Sequence, residues 1–393
     1  MGNCRTCIAL LAVLALSLPE PLFGNPGGLD EAIRNTQAGD KFYADGHHKN
    51  AESNYKRAHQ IFKSELGPSH PNVGAVCTKL GALYGTMGRH DEALDMHEES
   101  LKIMRETDGS RSEAVAGQLF NIGNAFWGQN LHQQALQRYN EALDIYKTTV
   151  GNDHERVGAT LGNIGSIYYL QENYDAALEA QSEALRIDRL HVDSQQNQDQ
   201  VGLSCFNVGH TLHKLGQLDE ASASYKEALF WFRRAFGENH PTVANALSSI
   251  ANVNMDQGRL EEALELNEKA LAILIQTLGG DHPNVAATIQ SIGSIYSAAG
   301  RHQDALEMFV DAANMMTKTL GEDHEELGMP FLSIAGAKAN LGQLNSAQKA
   351  ATEALRIFRR NNKHEKAIQA EHFLATLPSG PPAAKDLPSP PAA

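Results

Sequence analysis

The chain has 393 residues, with 47 Asp and Glu against 33 Lys and Arg, a net charge of −14 and a pI near 5.6. An acidic balance of this size argues against nucleic acid, whose phosphates call for a basic face. It argues equally against adsorption to an anionic membrane surface. The apolar run nearest the N-terminus covers residues 8–18, too few for the roughly 20 that a membrane-spanning helix needs, so no membrane insertion is expected.

That first segment reads as a signal peptide over residues 1–24. Arg5 supplies a positive charge, the apolar run follows, and Pro19, Pro21 and Gly24 break it, with cleavage expected after Gly24 or Ser17. A secreted or lumenal protein is the expectation. The alternative is lipidation: Met1-Gly2-Asn3-Cys4-Arg5-Thr6 fits a loose myristoylation pattern, and Cys4 and Cys7 are candidate palmitate acceptors. Acylation at Gly2, Cys4 and Cys7 would instead anchor a cytosolic protein to a membrane, but it does not call for the apolar run.

From residue 25 to 362 the chain repeats. Ala51, Ala93, Ala135 and Ala177 are 42 residues apart, and after a two-residue slip Ala221, Ala263, Ala305 and Ala347 resume the period of 42. Twelve residues before each stands a second small residue: Gly39, Gly81, Gly123, Gly165, Gly209, Ala251, Gly293 and Ala335. Around these markers, apolar residues recur at three and four, as in Leu119-x-x-Ile122-Gly123-x-x-Phe126 and Ala135-x-x-x-Tyr139-x-x-Ala142, which is helical spacing. Between the two helical stretches stands a turn residue, Gly46, Gly88, Gly216, Gly258, Gly300 or Gly342, with Asn130 in the third unit. Each unit is therefore an antiparallel helical hairpin, and the small markers mark where its helices approach most closely. The connector between units recurs too: Gly67-Pro68-Ser69-His70-Pro71 returns as Gly237-Glu238-Asn239-His240-Pro241, with Gly ending one helix and Pro opening the next.

The slip falls at residues 189–200, a polar stretch without the connector motif that reads as a surface loop. Residues 363–377 read as one last helix, with Ala367, Ile368, Phe373 and Leu374 available to cover the open end of the array. Residues 378–393 are rich in Pro and Ala and carry no core-forming pattern, so a disordered tail is expected.

The spacing L-G-x-x-Y and A-x-x-x-F resembles the tetratricopeptide repeat, in the long form similar to kinesin light chain and nephrocystin-like proteins, over about residues 29–360. The resemblance implies an all-α fold: a tetratricopeptide repeat solenoid, a right-handed superhelix of antiparallel hairpins, whose first helices line an inner surface. It also implies a binding role. Kinesin light chains carry a heptad coiled coil ahead of the repeats, and the short stretch 25–29 offers none, so a cargo adaptor of the motor is the secondary expectation only.

Motifs for chemistry are missing. There is no Gly-x-x-x-x-Gly-Lys-Ser/Thr loop, no Gly-x-Ser-x-Gly elbow and no His-Glu-x-x-His helix, so no enzyme, cofactor or metal is expected. Of 17 His residues, His70, His154, His240, His282 and His324 follow the connector and read as helix-entry packing. His210 and His213 share a helix face but lack the further ligands a metal needs. Cys77 and Cys205 occupy equivalent positions three units apart and read as small buried apolar residues, too distant to pair.

The informative stripe is polar. On the exposed face of the first helices fall Asn121 and Asn124, Asn163 and Ser166, Asn207 and His210, Ser249 and Asn252, continued by Ser291 and Ser294. A side-chain amide both donates and accepts, so a ladder of them suits the backbone of an extended peptide or protein segment. Phe120, Trp127, Tyr169 and Phe206 are expected to supply flat apolar pockets beside it. Basic residues on the stripe are few, Lys79 and Lys214 being the clearest, so an acidic partner is not favoured.

Overall fold

The computed structural model describes residues 26–192 and 195–378. The expected signal peptide at 1–24 and the tail from residue 379 lie outside the described residues. Two units divide the chain, Met1–Asn197 and Gln198–Ala393. The first holds four hairpins, α1 (Pro26–Ala44) with α2 (His48–Leu66), α3 (Pro71–Thr86) with α4 (His90–Thr107), α5 (Glu113–Gly128) with α6 (His132–Thr149), and α7 (Glu155–Leu170) with α8 (Tyr174–Leu190). The second begins within α9 (Gln195–Lys214), which pairs with α10 (Leu218–Phe236). It continues with α11 (Pro241–Asp256) and α12 (Leu260–Leu278), α13 (Pro283–Ala298) and α14 (His302–Leu320), then α15 (Gly328–Asn340) and α16 (Leu344–Arg360). A last helix, α17 (His364–Thr376), packs on α16, burying Ala367 and Ala370. Ile368, expected to join that cover, is instead 63% exposed, while Phe373 and Leu374 pack inward against the α14–α16 core. No strand occurs among the described residues.

The small markers sit where a large side chain of the second helix crosses the first. A Cβ built on Gly39 or Gly123 would lie 2.5 Å from the ring of Tyr55 or Tyr139. On Gly81 it would lie 2.5 Å from His97, and on Gly165 2.6 Å from Gln181. In the second unit Gly209 meets Tyr225 and Gly293 meets Phe309, each at 2.7 Å. The two Ala markers keep the rule by a smaller partner: the residues in register with the rings are Asn267 opposite Ala251 and Ala351 opposite Ala335. A marker with a methyl is thus matched by a smaller side chain across the crossing, so that the two do not overlap.

Connector histidines cap the helices they precede. The Nδ1 atoms of His70, His154, His240 and His282 accept hydrogen bonds from the backbone N–H two residues on, at 3.1, 3.2, 3.2 and 3.1 Å. His324 does the same for Glu326 ahead of the short 3-10 turn Glu325–Leu327. Where the motif has no His, Ser112 accepts from Val115 and takes over the role. A side-chain acceptor at this position satisfies one of the otherwise unpaired amides of the first turn.

The stretch 189–200 is not the loop expected. Helix α8 runs to Leu190 and α9 starts at Gln195. The segment 195–200 contains neither Pro nor Gly, so nothing in it stops α9 from extending toward its N-terminus. The inserted residues become helix, and only 191–194 remain between the helices.

Two outcomes follow from this packing. Gly165→Ala forces its methyl onto Gln181 and is expected to cost about 1–3 kcal/mol; adding Gln181→Asn, the residue that nature sets opposite Ala251, should recover part of it. A denaturant double-mutant cycle showing no coupling would place the tight crossing elsewhere. Burial lowers the pKa of His240, whose cap needs a neutral ring. Stability from this group is complete above the unfolded value near 6.5 and is lost as pH falls through the lower folded value. His240→Ser, which keeps a cap as Ser112 does, should flatten the fall of Tm with acid in that window.

Candidate peptide-binding face

Among the first helices, α3 touches α5 in the first unit, and α11 touches α13 and α13 touches α15 in the second. The second helices of successive hairpins make no comparable contact among the described residues, so the first helices form the tighter, inner side of each unit. All eight stripe residues lie on these first helices and are half-buried.

Their roles differ. In the first unit Asn124 is committed: its Oδ1 accepts from the Tyr139 hydroxyl at 2.7 Å and from Asn163 Nδ2 at 3.3 Å. The same construction appears two periods earlier with charges. Asp40 accepts from the Tyr55 hydroxyl and from Lys79 Nζ, both at 2.7 Å. Burial first, and then the Asp40 carboxylate, push the Tyr55 phenol up, so it stays a donor. Asn124 and Asn163 therefore tie neighbouring first helices together, and Lys79 is neutralised by its own neighbour. Ser166 donates to the Gly162 carbonyl at 2.9 Å, which leaves its oxygen free to accept. Asn121 makes no side-chain hydrogen bond among the described residues.

In the second unit Asn207, Ser249 and Asn252 make none either, although they stand at the same register as the committed pair. His210 is engaged: its Nδ1 lies 3.0 Å from the Phe206 carbonyl and its ring meets those of Phe206 and Tyr225. Burial lowers its pKa, only partly opposed by that carbonyl, so the ring is held neutral near pH 7. His213 faces away to Asp256, 2.6 Å from Nε2, so the two histidines have separate partners.

The aromatic residues are less available than expected. Phe120 packs against Tyr139, Trp127 edge-on against His132, Tyr169 edge-on against Tyr174, and Phe206 against His210 and Tyr225. Each ring is used to fix a crossing or a hairpin turn, and none forms an open flat pocket. No helix among the described residues is long and apolar enough to cross a membrane.

An all-helical array of paired hairpins with capped entries and a polar inner face defines a helical-repeat solenoid. The tetratricopeptide repeat model matches residues 31–106, 113–189 and 242–318, and a second model of the same repeat matches 203–230. The chain belongs to the tetratricopeptide repeat family. Among solved structures it is similar to the apo quorum sensor NprR from B. thuringiensis, with 16% identity, 83% of this chain and 87% of that chain covered, and a TM-score of 0.65. It is similar also to a Rap protein complexed with competence and sporulation factor, with 14% identity, 88% and 97% coverage and a TM-score of 0.51. Kinesin light chain TPR-like repeats from Podosopora anserina match at 19% identity over 62% of this chain and 94% of that one, with a TM-score of 0.31 that carries no argument about shape. No curated protein matches the chain significantly.

Proposed function

We propose that the chain is a non-enzymatic scaffold that holds an extended peptide or protein segment against the inner face of its first helices. The observation that carries this reading is the set Asn207, Ser249 and Asn252. These half-buried side chains recur at repeat-equivalent positions and leave their hydrogen-bonding groups unspent, although the same register in the first unit is tied up by Asn124 and Asn163. Half-exposed amides and hydroxyls with unspent hydrogen-bonding groups are free to bond a ligand that brings alternating backbone donors and acceptors. A Rap protein of this fold complexed with competence and sporulation factor supports the class of activity. The second unit is the main contact surface in this reading, with Asn121 a subsidiary contact on the first.

We propose further that residues 1–24 direct export and that the protein acts outside the cytosol, with acylation of Gly2, Cys4 and Cys7 as the competing outcome. Sequencing the N-terminus of protein from its natural source should find a mature chain starting near Asn25; an acylated Gly2 would replace the secreted reading with a membrane-anchored cytosolic one.

For the binding face, peptides can be selected from a displayed random library on the full chain. Asn207→Ala combined with Asn252→Ala should weaken the selected peptides at least about tenfold, the loss of one or two hydrogen bonds from a desolvated site, with Tm unchanged. Asn124→Ala should do the reverse, lowering Tm by removing an acceptor of the Tyr139 phenol while affecting capture less. Capture that survives the Asn207 and Asn252 changes would remove the stripe from the binding site.

A further inference from the structure

The seam between the first two hairpins carries a cluster that neither the repeat nor the binding face uses. His59 on α2, Cys77 on α3 and Glu99 on α4 place an imidazole nitrogen, a thiol sulfur and a carboxylate oxygen within 4.8 Å of one another. His59 Nε2 lies 3.5 Å from Glu99 Oε1, and that nitrogen is buried with no hydrogen-bond partner. Cys77 is fully buried.

The repeat itself shows that two of the three are departures. The residues in register with His59 are Leu101, Leu143, Leu185, Leu229, Leu271, Ala313 and Leu355. Those in register with Cys77 are Leu119, Leu161, Leu247, Ile289 and Phe331, with Asn35 in the first helix and a second cysteine at Cys205. An aliphatic core position has thus become a metal-ligating type twice, on two helices, and the two meet in space. In the helix preceding Cys205, the residue in register with His59 is Leu185. Glu99 is the common acidic residue of its register, shared with Glu141, Glu183, Glu227 and Glu353.

We propose that His59, Cys77 and Glu99 bind a zinc-class divalent cation that staples the first hairpin to the second. Nitrogen, sulfur and carboxylate oxygen are the donor types zinc takes, and three protein ligands leave a fourth position for solvent. Tetrahedral bonds of that kind set donors about 3.3–3.8 Å apart. The His59–Glu99 pair already has this spacing, and the set as a whole needs a contraction of about 1 Å, within reach of side-chain rotation. The cluster lies near the surface, with the side chains of His59 and Glu99 16% and 27% exposed. Lys63 Nζ lies 2.9 Å from Glu99 Oε1, the same oxygen that His59 Nε2 approaches. Its side chain is 46% exposed and can turn into solvent when the ion enters. In an array where each hairpin is buried only against its neighbours, a bond across one seam adds directly to the coupling between them.

The test uses the full chain, stripped with chelator and titrated with zinc, and with cobalt as a spectroscopic stand-in. The expected result is one zinc bound per chain with a rise in Tm of several degrees, and a thiolate-to-cobalt charge-transfer band. His59→Leu restores the residue of most other hairpins, so it should fold with full helicity yet lose both the Tm shift and the band; Cys77→Ala should lose the band as well. Zinc that leaves Tm unchanged overturns the proposal. So does a shift and band that survive in His59→Leu, which would remove the imidazole from the site.

Discussion

The structure depends on one close approach, repeated: a second-helix side chain lying over a first-helix residue that has no room for more than a hydrogen or a methyl. Tyr55 over Gly39, Tyr139 over Gly123 and Tyr225 over Gly209 set how near the two helices come. That distance fixes where the rest of the hairpin points. A ring in this position also brings its hydroxyl to the inner face, where Tyr55 meets Asp40 and Tyr139 meets Asn124. The same contact that closes the hairpin therefore decides which polar residues of the inner face are spent on structure. Where the ring is absent, as at Asn267 and Ala351, no phenol reaches the face and the neighbouring side chains, Asn252 among them, have no such partner.

This coupling explains what could be read from the residues and what could not. The period, the hairpins and their connectors were legible because each rests on local chemistry: helical spacing, a left-handed turn residue, a cap before a helix. The positive φ of Gly46 (74°), Gly88 (71°) and Asn130 (60°) is what their residue types allow. Glu172 was not legible in this way. It takes φ 58° at the turn of the fourth hairpin with no residue-type advantage, held there by the register of the helices on either side. The stretch 189–200 was misread for a related reason. Polar composition suggested a loop, but composition alone does not stop a helix, and the residues that do stop one are missing from it.

The inner face was legible as a set of positions and not as a set of roles. Asn121, Asn163, Asn207 and Ser249 share one register, and Asn124, Ser166, His210 and Asn252 the other, so the sequence presents them alike. Their environments separate them. Asn124 bonds the phenol and its neighbour Asn163, Ser166 bonds its own helix, and His210 is locked by a carbonyl and two rings. Only three-dimensional neighbours distinguish a polar residue that holds the scaffold from one left for a partner. The aromatic residues carry the same lesson: large rings beside a groove look like pocket walls until each is found pressed against a histidine or tyrosine of its own turn.

Repetition also hides information, because attention goes to what recurs. The agreement among units identified the fold, while the departures carry what is particular to one place. His59 stands where the other hairpins set Leu or Ala, and this was visible in the register without any coordinates. A single polar residue at a core position is a local defect, tolerable if its nitrogen finds a partner. Its Nε2 finds no hydrogen bond, and a buried thiol and a carboxylate, each from a different helix, lie within 4.8 Å of it. A buried nitrogen whose one polar neighbour is a carboxylate 3.5 Å away is poorly satisfied, and in the proposal made above a cation shared with Cys77 and Glu99 supplies the missing bond at a position where leucine otherwise serves.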